Sequence, residues 1–375
     1  MEVRSVIPAQ AGIQSPEAMV KIPMRQRLDA LRRHDKSAIR RGSISWFLIM
    51  AVLCMNQPAN AQERLRVGLS SVSATQGAMW VAEERGLFKK YGIDPEVIVI
   101  GGGASLVVSS LLAGEIQFSV GGGDAVIRAA LKGADTVLAV SPLKTGLQRL
   151  MTRAEIKTPA DLKGKKIGVT RFGSASHWVL QMFLRKWNMR NDDIQILQLG
   201  SSPANLASMD NRAIDGAVLT LPSFFVAEER GYRLFADPAD LDIVYLQNSI
   251  DTTRGYLKRN RDQAVRFVKG YCEGIAYFRK NKRDSVAIMQ KKLRIQSAQE
   301  KDTKYLEMSY DLLASKFYNL IPYATPKAVE TTLDFVGLDE PKAKGADAKL
   351  FLDESIVREL ETSGFFKSLY EGAYR

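Results

Sequence analysis

The chain has 375 residues, of which 46% are hydrophobic and 25% are charged. This balance excludes an intrinsically disordered or membrane-embedded protein, and the length predicts two domains, each with its own core. The formal net charge is +12, but the basic residues are spread over predicted helices without interleaved aromatic residues, so no nucleic-acid partner is expected.

The N-terminal segment has the layout of a secretory signal. Basic residues cluster in 25–41, and an apolar run, 44–55, follows them. The run is too short to span a bilayer, and Ala59 and Ala61 form a cleavage site, so export to the periplasm through a cleavable signal is expected. A retained signal anchor is the alternative. Residues 1–61 contain nine Lys or Arg and four Asp or Glu, so their removal lowers the formal charge from +12 to +7.

Cysteine and histidine are scarce, with two of each in the chain. Cys54 and His34 lie in the segment expected to be removed, which leaves Cys272 and His177. A single cysteine forms no internal disulfide, and a single histidine excludes a metal site built on a histidine cluster. We therefore expect no cofactor and no metal.

After residue 62, short apolar strands alternate with amphipathic helices, a pattern typical of a parallel sheet covered by helices on both faces. The sequence thus predicts an α/β fold. In the first half, strands are predicted at 65–69, 97–100, 116–120 and 136–140, and the helices between them end at Glu84, Gly114 and Leu131.

The loop after the first predicted strand, 70–76, is rich in hydroxyl and amide groups. Ligands of open α/β sheets bind beyond the carboxyl ends of the strands, where such loops lie. Ser73 and Gln76 are therefore candidates for ligand contact. Ordinary capping of the following helix is the alternative.

Two runs of three glycines, 101–103 and 121–123, each lie between a predicted strand and a helix. Without side chains, they would let a ligand approach backbone N–H groups, and Gly102 and Gly123 are the candidates; tight turns without a ligand are the alternative. Neither run has the G-x-G-x-x-G spacing of a dinucleotide site. Asp124 begins the next helix, either as its cap or as a cleft carboxylate that would favour a cationic ligand.

A second lobe is predicted to begin near residues 147–158. Its strands are predicted at 167–170, 194–199 and 217–221, with more strand at 243–246, and the chain is expected to be helical from residue 260 onward. We predict a signal segment over 1–61, a first lobe over 62–150, a second lobe over 151–246, and completion of the first lobe by 247–375.

The loop 171–177 is the strongest candidate in the second lobe. Free N–H groups at the start of a helix, two serine hydroxyls and an imidazole form a suitable seat for an anionic or strongly polar group. The candidates are Gly173, Ser174, Ser176 and His177. Helix capping by the serines, and a first-turn position for the histidine, are the alternatives.

Ser202 and Thr220 are further candidates, because Ser202 opens a predicted helix and Thr220 ends a predicted strand. The candidate contacts thus come from both lobes. A ligand that bridges the two would stabilise a closed arrangement that the empty protein samples only part of the time.

Three segments make the chain resemble a known family. They are VAEERGLFKKYGI at 81–93, DLKGKKIGV at 161–169 and LETSGFF at 360–366. Together they resemble the sulfonate, nitrate, taurine and thiamine-precursor binding proteins of ABC transporters, the SsuA/NMT1/THI5-like family, over residues 65–370. The resemblance implies a type II periplasmic binding protein fold, in which two α/β lobes enclose a ligand cleft.

The resemblance also implies a function. A monomeric extracytoplasmic protein would capture a small polar organic or anionic solute and deliver it to an ABC permease in the inner membrane. A ligand sensor for a membrane receptor is one alternative. An enzyme similar to thiamine-pyrimidine synthases is another, but those use histidines and a cysteine-rich segment that this chain lacks. Nor is there a G-x-S-x-G or H-E-x-x-H motif, so no catalysis is expected.

Overall fold

The computed structural model describes residues 63–100, 103–143, 145–294 and 300–371. They form two α/β lobes, each built on a five-stranded sheet. The sheet of the first lobe contains β1 (Glu63–Leu69), β2 (Ile93–Val99), β3 (Phe118–Gly121), β4 (Thr136–Val140) and β10 (Ser249–Thr253). The sheet of the second contains β5 (Arg149–Thr152), β6 (Lys166–Val169), β7 (Gln195–Gln198), β8 (Gly216–Leu219) and β9 (Arg233–Ala236).

Both sheets are mixed rather than wholly parallel. In the first, with strand order β2-β1-β3-β10-β4, β1 is parallel to β2 and β3, whereas β10 is antiparallel to both of its neighbours. In the second, with order β7-β6-β8-β5-β9, β5 is antiparallel to β8 and β9. The expectation of parallel sheets is therefore wrong for β5 and β10, each of which runs opposite to the other four strands of its sheet. These strands lie where the chain passes between the sheets or reverses direction, which the alternation of strand and helix does not indicate.

The helices of the first half of the described chain cover the two sheets. They are α1 (Gly77–Glu84), α2 (Leu87–Lys90), α3 (Ala104–Leu112), α4 (Gly123–Leu131), α5 (Ala175–Lys186), α6 (Ser202–Asp210) and α7 (Ser223–Glu229). Helix α1 ends at Glu84, as predicted, and Gly86, just after it, has the left-handed conformation (φ 65°) that glycine adopts at low cost.

The C-terminal part is helical, as predicted. It contains α8 (Arg254–Arg259), α9 (Arg261–Lys280), α10 (Lys282–Lys292), α11 (Glu300–Leu312), α12 (Pro326–Val336), α13 (Ser355–Thr362) and α14 (Phe365–Tyr370). None of the helices in the described part of the chain combines the length and the hydropathy that a bilayer crossing requires.

Helix α9 packs its apolar face against the first sheet. The Phe267 ring stacks on Phe118 at a centroid distance of 4.4 Å and on Phe88 at 5.2 Å. Cys272, on the same helix, is buried in this core, and burial raises the pKa of its thiol. The buried thiol has the surroundings of a structural rather than a reactive cysteine.

The strand predicted at 243–246 is not formed, because this segment has no regular secondary structure and β10 begins only at Ser249. Ile243, Tyr245 and Leu246 are nevertheless buried. They are apolar because the segment runs through the interior between the two sheets. A short apolar run in the sequence does not distinguish such an irregular buried segment from a buried strand.

Candidate functional site

A cavity of about 310 Å³ lies where strand-to-helix loops of the two sheets meet. This is where open α/β sheets bind their ligands. The cavity is lined from the first lobe by 70–73, Val99, Gly103, Ala104 and Gly122; from the second by Thr170, Arg171, 174–176, 200–203, Val218 and 220–223; from the segments between the sheets by Gln148, Gln247 and Asn248; and from the end of α10 by Leu293.

Three hydroxyls of the second lobe form a triangle in the cavity wall. The Oγ atoms of Ser174 and Ser176 lie 2.9 Å apart, and each lies 2.9 Å from Oγ1 of Thr170. Ser174 is also the N-cap of α5 and accepts the His177 N–H at 3.5 Å. The capping and the ligand-contact interpretations of Ser174 are therefore compatible, because the capping hydroxyl also lines the cavity.

Gly173 and His177, from the same predicted loop, do not line the cavity. The backbone N–H of Gly173 donates to Nδ1 of His177 at 3.1 Å, which requires that nitrogen to be unprotonated. Burial lowers the pKa of His177, because desolvation penalises its charged form. Here the imidazole closes the turn before α5.

In the loop after β1, Ser73 lines the cavity and Gln76 does not. The Ser73 hydroxyl reaches across to the second lobe, where it donates to the Leu221 carbonyl at 3.5 Å. Gln76 is only 2% exposed, and its Nε2 has no partner among the described residues. The two lobes thus touch directly beside the cavity.

The loop before α4 meets the cavity with Gly122 rather than with Gly123 or Asp124. The Gly123 N–H donates to the Leu246 carbonyl at 3.0 Å, and the Asp124 carboxylate accepts the Tyr245 hydroxyl at 2.8 Å. Burial raises the pKa of Asp124 to about 6, which the Tyr245 hydrogen bond partly opposes.

As a consequence, the described lining of the cavity contains no carboxylate, and Arg171 is its charged residue. Asp124, whose carboxylate accepts from Tyr245, does not line the cavity, so the geometry gives no support to its interpretation as a cleft carboxylate. Among the described residues, no three His, Cys, Asp or Glu side chains lie close enough to share a metal ion.

Ser202 and Thr220 both line the cavity. The Thr220 N–H donates to the Ser202 hydroxyl at 3.2 Å, and Oγ1 of Thr220 has no partner among the described residues. Gly102 lies outside the described residues, whereas its neighbour Gly103 lines the cavity.

Sequence reasoning missed three amide side chains in the cavity wall, those of Gln148, Gln247 and Asn248. They lie on the two segments that connect the sheets, not in strand-to-helix loops. The sequence does contain an indication of two of them, because Gln247 and Asn248 directly follow the apolar run 243–246. Polar residues at the end of such a run are expected to face a polar site.

Comparisons with known proteins agree with this architecture. The chain is 31% identical to a protein of Brucella abortus that is named as a binding protein, over 38% of this chain and 43% of that one, so the match spans less than half of the relative. The aliphatic sulphonate binding protein SsuA of Escherichia coli superposes with a TM-score of 0.62 at 21% identity, covering 78% of this chain and 92% of that one.

The nitrate-binding protein NrtA of Synechocystis superposes with a TM-score of 0.60 at 12% identity, covering 80% of this chain and 88% of that one. At these identities the superpositions establish a shared periplasmic binding protein fold. The NMT1/THI5-like family model matches residues 74–285, more than half of the sequence. The chain therefore belongs to the NMT1/THI5-like family.

Proposed function

We propose that this protein is an extracytoplasmic solute-binding protein, which captures a small polar organic or anionic solute between its lobes and delivers it to an ABC permease in the inner membrane. The observation that carries the proposal is the 310 Å³ cavity, to which strand-to-helix loops of both sheets contribute hydroxyl and amide groups. Such a volume suits a small organic solute.

The lining supports binding of a polar group. Helices α5 and α6 both begin at the cavity, and the free N–H groups at helix N-termini stabilise negative charge or strong acceptors. The hydroxyls of Ser174, Ser176 and Thr170 can rotate to donate or to accept. The names of the structural neighbours make sulfonates and nitrate the first candidates, and the family resemblance adds taurine and pyrimidine-like compounds.

The contacts between the lobes support closure around the ligand. A Cβ at Gly103 would lie 3.7 Å from Ser174 Cα, so the first turn of α3 approaches the first turn of α5 across the cavity. This approach and the contact of Ser73 with Leu221 are the kind of contacts expected when the two lobes are closed over the cavity. Ligand contacts in both lobes would favour the closed arrangement over an open one, and a permease could recognise the difference.

We further propose that the protein acts without catalysis, as a monomer in the periplasm. Residues 1–61, which would supply the export signal, lie outside the described residues. Expression of the full chain in a Gram-negative host, followed by fractionation and N-terminal sequencing, tests the export. A mature N-terminus at Gln62 supports the proposal, and an uncleaved cytoplasmic chain contradicts it.

Binding itself is tested by thermal unfolding of the purified protein with sulfonates, nitrate, taurine, pyrimidines, aromatic acids and polyamines. A ligand at a hundredfold excess over its Kd stabilises the folded state by about 2.7 kcal/mol. Small-angle scattering with and without the best ligand then tests closure. No stabilisation by any compound, or a tight ligand without compaction, would contradict the proposed function.

A further inference from the structure

A run of hydrogen bonds crosses the cavity wall from the segment between the sheets to the second lobe. Its four bonds are Gln247 Nε2 to Asn248 Oδ1 at 3.2 Å, Asn248 Nδ2 to Thr75 Oγ1 at 2.9 Å, Thr75 Oγ1 to Ser73 Oγ at 3.2 Å, and Ser73 Oγ to the Leu221 carbonyl at 3.5 Å. All five residues are buried.

The contact between Ser73 and the Leu221 carbonyl sets which atom donates and which accepts along this run. A backbone carbonyl can only accept, so the Ser73 hydroxyl donates its proton to Leu221, and its oxygen accepts from Thr75. The Thr75 oxygen then accepts from the Asn248 amide nitrogen, and the Asn248 carbonyl accepts from Gln247. With this direction, the two amide orientations are consistent with each other and with the Ser73 contact.

At the Gln247 end, the run leaves the side-chain carbonyl, rather than the amide nitrogen, without a partner among the described residues. Gln247 lines the cavity and is 5% exposed, and its Oε1 has no donor among the described residues. A buried carbonyl without a donor is costly, and a ligand that supplies the donor removes this cost. The carbonyl Oε1 of Gln148, in the same wall, is also without a partner among the described residues.

We propose that Gln247 determines the specificity of the cavity, by selecting solutes with an uncharged N–H or O–H donor over oxyanions without a proton. The inference rests on the proposed binding function and narrows its ligand class. An ammonium donor would find no carboxylate in the described lining, and an inorganic oxyanion such as nitrate would place negative charge against a carbonyl oxygen. Primary amides and amino-substituted heterocycles have the required chemistry.

Calorimetric titration of the purified protein with matched pairs tests this selection. The pairs are benzamide with N,N-dimethylbenzamide, and 4-aminopyrimidine with 4-methylpyrimidine; sodium nitrate and sodium methanesulfonate are oxyanions without a donor. The donor-bearing member of each pair is expected to bind at least about tenfold more tightly than its partner and than either oxyanion.

Equal or tighter binding of nitrate, of methanesulfonate or of the members without a donor would overturn the inference while leaving the binding function in place. Failure of every donor-bearing probe to bind would also overturn the assigned class. The wider solute panel described above would then still test whether the protein captures a solute at all.

Two variants locate the effect. Gln247→Met removes the carbonyl at similar volume and is expected to abolish the preference within each pair. Ser73→Ala keeps Gln247 but removes the hydroxyl that donates to the Leu221 carbonyl. The side-chain amides of Asn248 and Gln247 can then exchange their oxygen and nitrogen positions. The preference for the donor-bearing compound is expected to fall several-fold, while binding persists. Gln195→Met makes the same chemical change at an exposed strand position away from the cavity, and it should leave the preference unchanged. A preference retained in both Gln247→Met and Ser73→Ala would overturn the inference.

Discussion

Two loops that look alike in the sequence have opposite surroundings in the structure. The loop 121–124 and the loop 170–176 each leave a buried strand, turn through glycine and place polar residues at a helix start. In the second, the hydroxyls of Ser174 and Ser176 line the cavity. In the first, Asp124 is 6% exposed and its carboxylate binds Tyr245 instead.

The difference arises outside both loops. A Cβ at Gly122 would lie 1.7 Å from the Tyr245 hydroxyl oxygen, and one at Gly123 would lie 2.8 Å from Leu246 Cβ. The segment that contains Tyr245 and Leu246 is more than a hundred residues away from the first loop in the sequence, and it fills the space beside that loop. A polar residue at a helix start thus becomes part of the site when no remote segment covers it.

The largest expected effect comes from forcing these two segments apart. Gly122→Ala should lower the free energy of unfolding by roughly 3 kcal/mol, because the fully buried Tyr245 ring cannot move away from the new methyl group. Denaturant unfolding measures the loss. Gly146→Ala is the matched control, since its Cβ would lie 3.2 Å from the nearest atom and should cost less. Equal losses in the two variants would show that the space beside Gly122 is not tightly filled.

A second prediction concerns pH. Burial raises the pKa of Asp124 from its ordinary value of 3.8 to about 6, with Arg128 and Tyr245 opposing the shift. The folded state therefore holds this proton more tightly than the unfolded state, so stability falls by roughly 2 kcal/mol as pH rises from about 4 to about 6, and this contribution is constant above that.

Asp124→Asn should remove that part of the pH dependence, measured by denaturant unfolding at pH 4, 5, 6 and 7. A second buried carboxyl with a raised pKa, that of Asp251, is present both in the unsubstituted protein and in the Asp124→Asn variant. An unchanged slope between pH 4 and 6 in Asp124→Asn would assign the effect to Asp251 or to another group.

A third prediction contrasts the two loops as ligand contacts. Replacement of both Ser174 and Ser176 by alanine should weaken the affinity for the first solute identified by about tenfold, because hydroxyls lost from the cavity wall no longer bind it. Asp124→Asn should leave that affinity within about twofold. Titration calorimetry measures both, and the reverse order of effects would place the site at the first loop.

The smallest effect is expected at His177. Its pKa is lowered by burial, and its Nδ1 accepts the Gly173 N–H, so the stability it contributes is present near neutral pH and is lost as pH falls below its unfolded value of about 6.5. His177→Ala should cost less than about 1 kcal/mol at pH 7.5 and leave ligand affinity unchanged. An NMR titration midpoint of His177 above 6.5 would contradict this assignment.

The sequence by itself determined the α/β class, the end of α1, the bounds of β4, and the loops in which to look for ligand contacts. These follow from local rules: the period of apolar residues, the capping of helix ends and the glycines that reverse the chain. Ser73, Ser174, Ser176, Ser202 and Thr220 could all be named from them, because strand-to-helix loops of α/β sheets gather at one edge.

Only the tertiary structure decided which of these residues line the cavity. It buried Asp124 against Tyr245, turned His177 back onto Gly173, and brought Gln148, Gln247 and Asn248 into the wall from segments without regular structure. Local patterns carry no information about which distant segment fills a given space. The close packing of the interior settles that, because it allows one occupant at each place.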